Sequence, residues 1–370
     1  MDTDLDSVAG LLHKEALLCD DALYLGIGNC KLRLRSNSAQ LLDGLRGYFA
    51  HVVSAAQPPD IDVIAVESDI VDFDANFTDW KREPGKSGRK DAYLDIPHGR
   101  LVRKVRTGML FLQSEKYRIA AGPCIEYDNQ VINFINAQYM NWLQQRSWLI
   151  CHAAALVHQG CGFAIAGHSG GGKSTLMLNL LDHDSVSYIT NDRLFIKKRA
   201  GETRAVGIPK LPRINPGTIV HNRKLQQLIE PQRRADLLAL PPQELWELED
   251  KYDVDVETIY GAGRIVQEAP LSAFLILNWQ RDTEETLQLA EVDLVSRRDL
   301  LAAIMKSPGP FYQYADGSFF QDDTAFNEQV YLDALEGVRI YEARGRADFE
   351  GLTGMFLYQM SAATDRNKRS

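Results

Sequence analysis

Gly167-His168-Ser169-Gly170-Gly171-Gly172-Lys173-Ser174 fits the pattern G-x-x-x-x-G-K-[ST], in which clustered glycines, a lysine and a hydroxyl cradle phosphate. Before it, Cys161-Gly162-Phe163-Ala164-Ile165-Ala166 is a short apolar run of buried-strand character; after it, Ser174 to Leu181 reads as a helix. Strand, glycine loop, helix is the context the pattern needs, whereas a chance glycine-rich turn needs neither flank. The glycines let successive N–H groups point inward, and the helix N-terminus adds its positive end. Gly167, His168, Ser169, Gly170, Gly171, Gly172, Lys173, Ser174 and Thr175 are therefore the expected phosphate-contacting residues. Lys173 would neutralise the β- and γ-phosphates and Ser174 ligate Mg²⁺, with Thr175 as its substitute one position along.

The 370 residues suit one large or two closely associated domains, and 45% hydrophobic with 25% charged residues is an ordinary globular composition. A net charge of −9 argues against a nucleic-acid partner. Cys19, Cys30, Cys124, Cys151 and Cys161 show no C-x-x-C pairing and suggest reduced, buried thiols. The first residues, Met-Asp-Thr-Asp-Leu-Asp, are acidic where a signal peptide is basic, and no apolar run reaches membrane-spanning length. A soluble, cytoplasmic protein without a membrane partner is expected.

Residues 1–145 read as an N-terminal α+β module. Alternation around Gly26-Ile27-Gly28-Asn29 predicts a β-hairpin over Ala22 to Arg35; Lys31 stands where a dinucleotide fingerprint needs its third glycine. The basic stretch Lys81 to Lys90 reads as a solvated loop. Three short strands are expected between Tyr93 and Ala121. Val131, Phe134, Ile135, Tyr139 and Trp142 then recur at helical spacing, as an apolar stripe expected to pack the module onto a nucleotide domain over 146–362. The tail 363–370 is expected to be disordered.

Within the second part, Trp148 to Val157 is a strand carrying His152, which reads either as a satisfied core histidine or as part of a catalytic site. Ser185 to Asp192 is a strand ending in a carboxylate, placed where a phosphate-loop protein orients Mg²⁺; Asp192 is thus a candidate metal ligand or proton acceptor. Three prolines between 209 and 216 stiffen Gly207-Ile208-Pro209-Lys210-Leu211-Pro212-Arg213-Ile214-Asn215-Pro216-Gly217. Lys210 and Arg213 on that stretch are candidates for the cations that meet a transferring phosphoryl group, or else belong to a structural loop. Asp253, Asp255 and Arg264 are weaker candidates for metal or phosphate contacts. Phe311 to Phe320 is aromatic and reads as a base-stacking segment or as core.

His152, the loop Gly167 to Ser174, and Asn191-Asp192 at the next strand end resemble the HPr kinase/phosphorylase family. The stretch Gly207 to Gly217 most resembles its branch called HprK-related kinase B. The likeness is clear over about 145–220 and fades beyond about 345. It implies an α/β fold with a P-loop kinase core of the phosphoenolpyruvate-carboxykinase-like type, use of ATP and Mg²⁺, a protein hydroxyl, that of a serine, as acceptor, and homo-oligomeric assembly. Two departures stand out: Asn191 replaces the first of two family aspartates, and the glutamate of the Glu-x-Arg-Gly signature has no clear counterpart. Expected catalytic residues are Asp192, Lys173, His152, Lys210 and Arg213, and expected metal ligands Ser174 and Asp192. The alternatives are a nucleotide-binding regulator without phosphotransfer and a small-metabolite kinase.

Overall fold

The computed structural model describes all residues except 1–3, 14–15, 83–87, 169, 249, 281–282 and 368–370. Its chain divides into two compact units: residues 1–147 together with 307–325, and residues 148–306 together with 326–370. Among the described residues no helix is long and apolar enough to cross a membrane. All five cysteines are free thiols, and burial pushes the Cys30 thiol up to about 12.

Unit 1 contains α1 (Leu5–His13), β1 (Leu23–Ile27), β2 (Cys30–Ser36), α2 (Ala39–Tyr48), β3 (Ile61–Glu67), β4 (Thr78–Asp79), β5 (Asp91–Ile96), β6 (Gly99–Lys104), β7 (Leu110–Ser114), β8 (Arg118–Gly122) and α3 (Asp128–Gln144). The strands make one eight-stranded sheet in the order β1-β2-β3-β8-β7-β6-β5-β4. Pairing is parallel from β2 through β3 to β8 and antiparallel elsewhere. The expected hairpin is present as β1–β2, with Leu23, Leu25, Ile27, Leu32 and Leu34 alternating into the core. Four strands, β5 to β8, stand where three were expected.

Two expectations about domain organisation change. The apolar stripe of α3 serves the core of its own unit: Phe134 packs at 5.0 Å from Phe111 of β7 and 5.2 Å from Phe311. The aromatic segment 307–325, expected within the nucleotide domain, belongs to unit 1. Arg100 of β6 explains why. Its side chain is fully buried, and its guanidinium donates to both carboxylate oxygens of Asp95 and to the carbonyls of Pro310 and Phe320. Tyr93 and Phe319 pack their rings over it, 4.5 and 4.7 Å from the guanidinium carbon. A buried guanidinium needs every donor matched, and the segment supplies carbonyls and π-faces together.

Unit 2 contains β9 (Leu149–Cys151), β10 (Ala153–His158), β11 (Cys161–Gly167), α4 (Lys173–Leu181), β12 (Val186–Thr190), β13 (Leu194–Arg199), β14 (Glu202–Val206), β15 (Arg213–Ile214), α5 (Pro216–His221), α6 (Pro231–Leu238), α7 (Pro242–Glu247), β16 (Tyr252–Asp253), α8 (Val256–Tyr260), β17 (Glu268–Leu277), β18 (Gln288–Glu291), α9 (Leu301–Ile304), α10 (Glu328–Leu335), β19 (Arg339–Arg344) and α11 (Phe349–Asn367). Nine strands form a mixed sheet, β12-β10-β11-β17-β14-β13-β9, with β19 paired to β17 and β18 to β19. Both faces are covered, so residues alternate between two cores. Phe163 and Ile165 of β11, with Leu275 and Leu277 of β17, enter the core shared with α4 and α11. Ala164, Ala166, Phe274 and Ile276 enter the core shared with α9 and α10.

The expected strand Trp148 to Val157 breaks at His152, because β9 pairs with β13 whereas β10 pairs with β11 and β12. The tail expected to be disordered from 363 is helical as far as Asn367, with Ala363 buried; residues 368–370 lie outside the described residues. Gly207 admits no side chain: a Cβ there would lie 2.2 Å from the carbonyl oxygen of Ile189. Gly207→Ala is expected to cost about 1–3 kcal/mol through forced backbone displacement, seen as a lower urea midpoint at unchanged slope.

Candidate functional site

Register places three strand ends on one edge of the unit 2 sheet. Ala153 of β10 faces Ala166 of β11, and Ala155 faces both Ala164 and Thr190 of β12. His152, just before β10, therefore shares an edge with Gly167 at the end of β11 and with Asn191 and Asp192 just past β12. The glycine loop leaves that edge and enters α4.

Gly172 caps α4 in the left-handed region, with φ of 86°. A Cβ at this position would also meet the Phe349 ring at 2.4 Å, so glycine is required twice over. The indole N–H of Trp279 donates to the Gly171 carbonyl at 2.9 Å, and Trp279 meets Phe349 edge-to-face at 4.9 Å. Within the loop, Gly171 N–H donates to His168 O at 3.0 Å. Lys173 is buried and folds back, its Nζ donating to Gly167 O at 2.9 Å. Ser174 is half-buried in the first turn of α4. Thr175 shares a 2.8 Å hydrogen bond with Thr218, which commits its hydroxyl to a protein partner. Ser169 lies outside the described residues.

Asp192 accepts from His152 Nε2 through Oδ1 at 3.1 Å, and its Oδ2 is paired with Arg193. Burial works to raise the Asp192 carboxyl, but Arg193 and then His152 outweigh it and hold the group well below the usual carboxylate range. Burial pulls the His152 imidazole below its usual range; Asp192 opposes this, while Lys173 and Lys306 add to it. His152 is thus neutral at pH 7. Since Asp192 is the acceptor in their contact, Nε2 carries the proton and Nδ1 has its lone pair free of that contact.

The proline-rich stretch is fixed to β12 by a 3.0 Å hydrogen bond from the Tyr188 hydroxyl to Lys210 O. Burial and the nearby charge of Arg193 pull the Lys210 ammonium down to about 8, against the attraction of Asp192. Lys173 and Lys306 thus act electrostatically on His152, Arg193 and Lys306 act on Asp192, and Lys210 feels the Asp192 charge.

Other expected residues are engaged elsewhere. Arg213 faces Asp253 in the β15–β16 ribbon, with Nε 3.1 Å from Oδ1, so its charge is already matched. Asp255 caps α8, accepting from Glu257 and Thr258 N–H. Arg264 gathers the carbonyls of Leu181, His183, Val186 and Tyr260 and closes the end of α4. Phe311 and Phe319 are half-buried and pack within unit 1, Phe311 on Phe111 and Phe134 and Phe319 on Arg100.

Sequence reasoning missed Arg193, Lys306, Trp279 and Phe349. Arg193 had a signal, a cation directly after the strand-end acid. The other three reach the site through long-range pairing: the Met305 bridge to Cys151 carries Lys306, and β17 and α11 carry the two aromatics.

The oxygen set at this edge fits a hard divalent cation. Ser174 offers a hydroxyl, Asp192 a carboxylate, and Asn191 an Oδ1 that is buried without a partner. Among the described residues no three His, Cys, Asp or Glu side chains cluster to hold a metal ion.

No family model matches the chain. No curated protein matches it. Among solved structures, the Hpr(Ser) kinase/phosphatase from Coxiella burnetii is similar at 10% identity and a TM-score of 0.29, over 60% of this chain and 95% of that one. A likeness at that score carries no argument about fold or chemistry.

Proposed function

We propose that unit 2 is an ATP- and Mg²⁺-dependent phosphotransferase. The observation that carries this reading is the gathering of Lys173, Arg193, Lys210 and Lys306 about the His152–Asp192 pair, at the sheet edge where the glycine loop opens. Cations fixed around so few carboxylates form an anion site, and phosphoryl transfer depends mainly on positioning and charge stabilisation.

In this reading Lys173 leaves the loop carbonyls for the β- and γ-phosphates, while loop N–H groups cradle them. Ser174 and Asp192 would hold Mg²⁺, and Asn191 Oδ1 is a further oxygen at the same strand end. Bound there, Mg²⁺ would supply charge neutralisation on the phosphate oxygens. An acceptor hydroxyl attacks the γ-phosphorus as the bond to the bridging oxygen breaks and ADP leaves. A carboxylate held as acidic as Asp192 is a poor proton acceptor, whereas a neutral imidazole is a competent one; the hydroxyl proton is therefore assigned to His152 Nδ1. Lys210 and Arg193 meet the developing charge. Arg213 positions the loop through Asp253. A protein hydroxyl is the acceptor class that the sequence resemblance implies.

The test is incubation of the purified chain with γ-labelled ATP and Mg²⁺ in desalted lysate of its source cells. A labelled protein supports the reading. A labelled small molecule moves it to a metabolite kinase, and tight ATP binding without any transfer moves it to a regulator. The Lys210 ammonium gives a further check. A lysine is charged below its pKa, so the Lys210 charge is present at pH 7 and lost as pH rises through about 8. At subsaturating ATP, activity is expected to decline across that range, and Lys210→Arg, charged throughout, to extend it to higher pH.

A further inference from the structure

Unit 1 holds a cavity of about 170 Å³ that the chemistry above does not use. It opens at the ends of β3, β7 and β8 beneath α3, and every residue lining it belongs to that unit. Two arginines stand in its lining. Arg146 is committed: its guanidinium lies over the Trp142 ring, 3.9 Å from the centroid, and donates to the Trp142 carbonyl at 3.1 Å. Arg118, the first residue of β8, is not. Among the described residues its guanidinium has no hydrogen-bond or ion-pair partner, although the residue is only partly exposed. Burial pulls it below its ordinary range, against the attraction of Asp62 and Glu115. Asp62 is already bound by Arg33 and Arg35, and Glu115 shares the lining without an ion pair to Arg118.

A guanidinium withdrawn from water calls for an anion. A second donor stands beside it, because Gln113 of β7 lies directly opposite Arg118 in the antiparallel pair and both side chains line the cavity. Gln113 spends Oε1 on Gln138 Nε2 at 2.6 Å, which leaves its Nε2 to donate. The same lining holds acceptors. Asn141 and Gln313 spend their NH₂ groups on the carbonyls of Phe311 and Gly317, which leaves Oδ1 and Oε1 to accept. None of these three atoms is sealed away unpartnered. The lining thus offers one unmatched positive charge with a neutral donor at its side, and neutral acceptors with two exposed carboxylates, Asp60 and Glu115. A simple anion satisfies the first set and is repelled by the second; a zwitterion satisfies both. The volume corresponds to roughly five to six waters of liquid, enough for an amino acid with a short side chain.

We propose that this cavity binds a small free amino acid, its carboxylate on Arg118 and Gln113 and its ammonium toward Asn141, Gln313 and Glu115. The site is independent of the glycine loop. Saturation-transfer NMR on the full chain, with glycine, alanine, serine, asparagine and glutamine each at millimolar concentration, tests it. Acetate and ethanolamine, which carry one of the two charges alone, are the controls. At least one of the amino acids is expected to bind, and both controls to bind about tenfold more weakly or worse. Arg118→Gln should weaken binding about tenfold or more, the loss of a hydrogen bond to a charged group, and Arg118→Lys, which keeps the charge without the fork, by less. Glu115→Gln, at an exposed position, should weaken it a few-fold and decides the matter if the Arg118 variants do not fold. Binding should persist in Lys173→Ala, so this site and the phosphotransferase reading stand or fall separately. The proposal is overturned if none of the amino acids binds, if acetate binds as tightly as they do, or if neither Arg118→Gln nor Glu115→Gln weakens binding.

Discussion

In Lys173→Ala, phosphoryl transfer from ATP is expected to fall by about a hundred- to a thousandfold in kcat/KM, the usual cost of removing one charge-stabilising donor from a transition state. The fold should survive. Alanine is the best helix former for the first position of α4, and the interactions lost include the hydrogen bonds from Nζ to the carbonyls of Gly167 and His168, each worth about 1 kcal/mol net. Melting temperature and far-UV circular dichroism measured on the same preparation separate the two effects. A variant that melts like the wild type and still transfers phosphate would remove the glycine loop from the mechanism, however well nucleotide binds.

The second large effect is on stability. Arg100→Met is expected to destabilise unit 1 by about 3 kcal/mol, the lower end of what breaking a buried ion pair costs, because Asp95 is half-exposed and can recover water. Methionine fills much of the volume under Tyr93 and Phe319 but leaves the carbonyls of Pro310 and Phe320 without their donor. Loosening should therefore concentrate in residues 307–325. Urea unfolding reads the first expectation, and faster amide exchange or proteolysis within that segment reads the second. Arg100→Lys, with one ammonium for a fork of donors, should fall between the two. Equal urea midpoints for Arg100→Met and wild type would refute the account of how the segment is held.

The sheet edge that carries the candidate site was legible because its signals are local. The glycine pattern, the apolar run of β11 and the acid closing β12 all lie within about ten residues of their own structural consequence. The Lys210 stretch was legible for a similar reason, since three prolines restrict the backbone whatever surrounds them. The pairing of Arg213 was not legible because its partner, Asp253, lies forty residues on and reaches it through a two-residue ribbon. Trp279 and Phe349, which clasp the loop, arrive on β17 and α11, whose alignment with β11 no local pattern encodes. The assignment of 307–325 failed in the same way: its aromatic residues announce burial, but not in which core.

That segment has a consequence for how the protein is made. At a synthesis rate of about 5–20 residues per second, the interval between completion of Ser147 and of Ser307 is roughly ten to thirty seconds. Throughout it, Arg100 has left the ribosome with Asp95 but without the carbonyls and ring that finish its surroundings. Unit 2 is meanwhile short of β19, the strand that flanks β17. Neither unit is complete when residue 306 is added, so the nascent chain holds two unfinished cores at once, and the last sixty-odd residues close both.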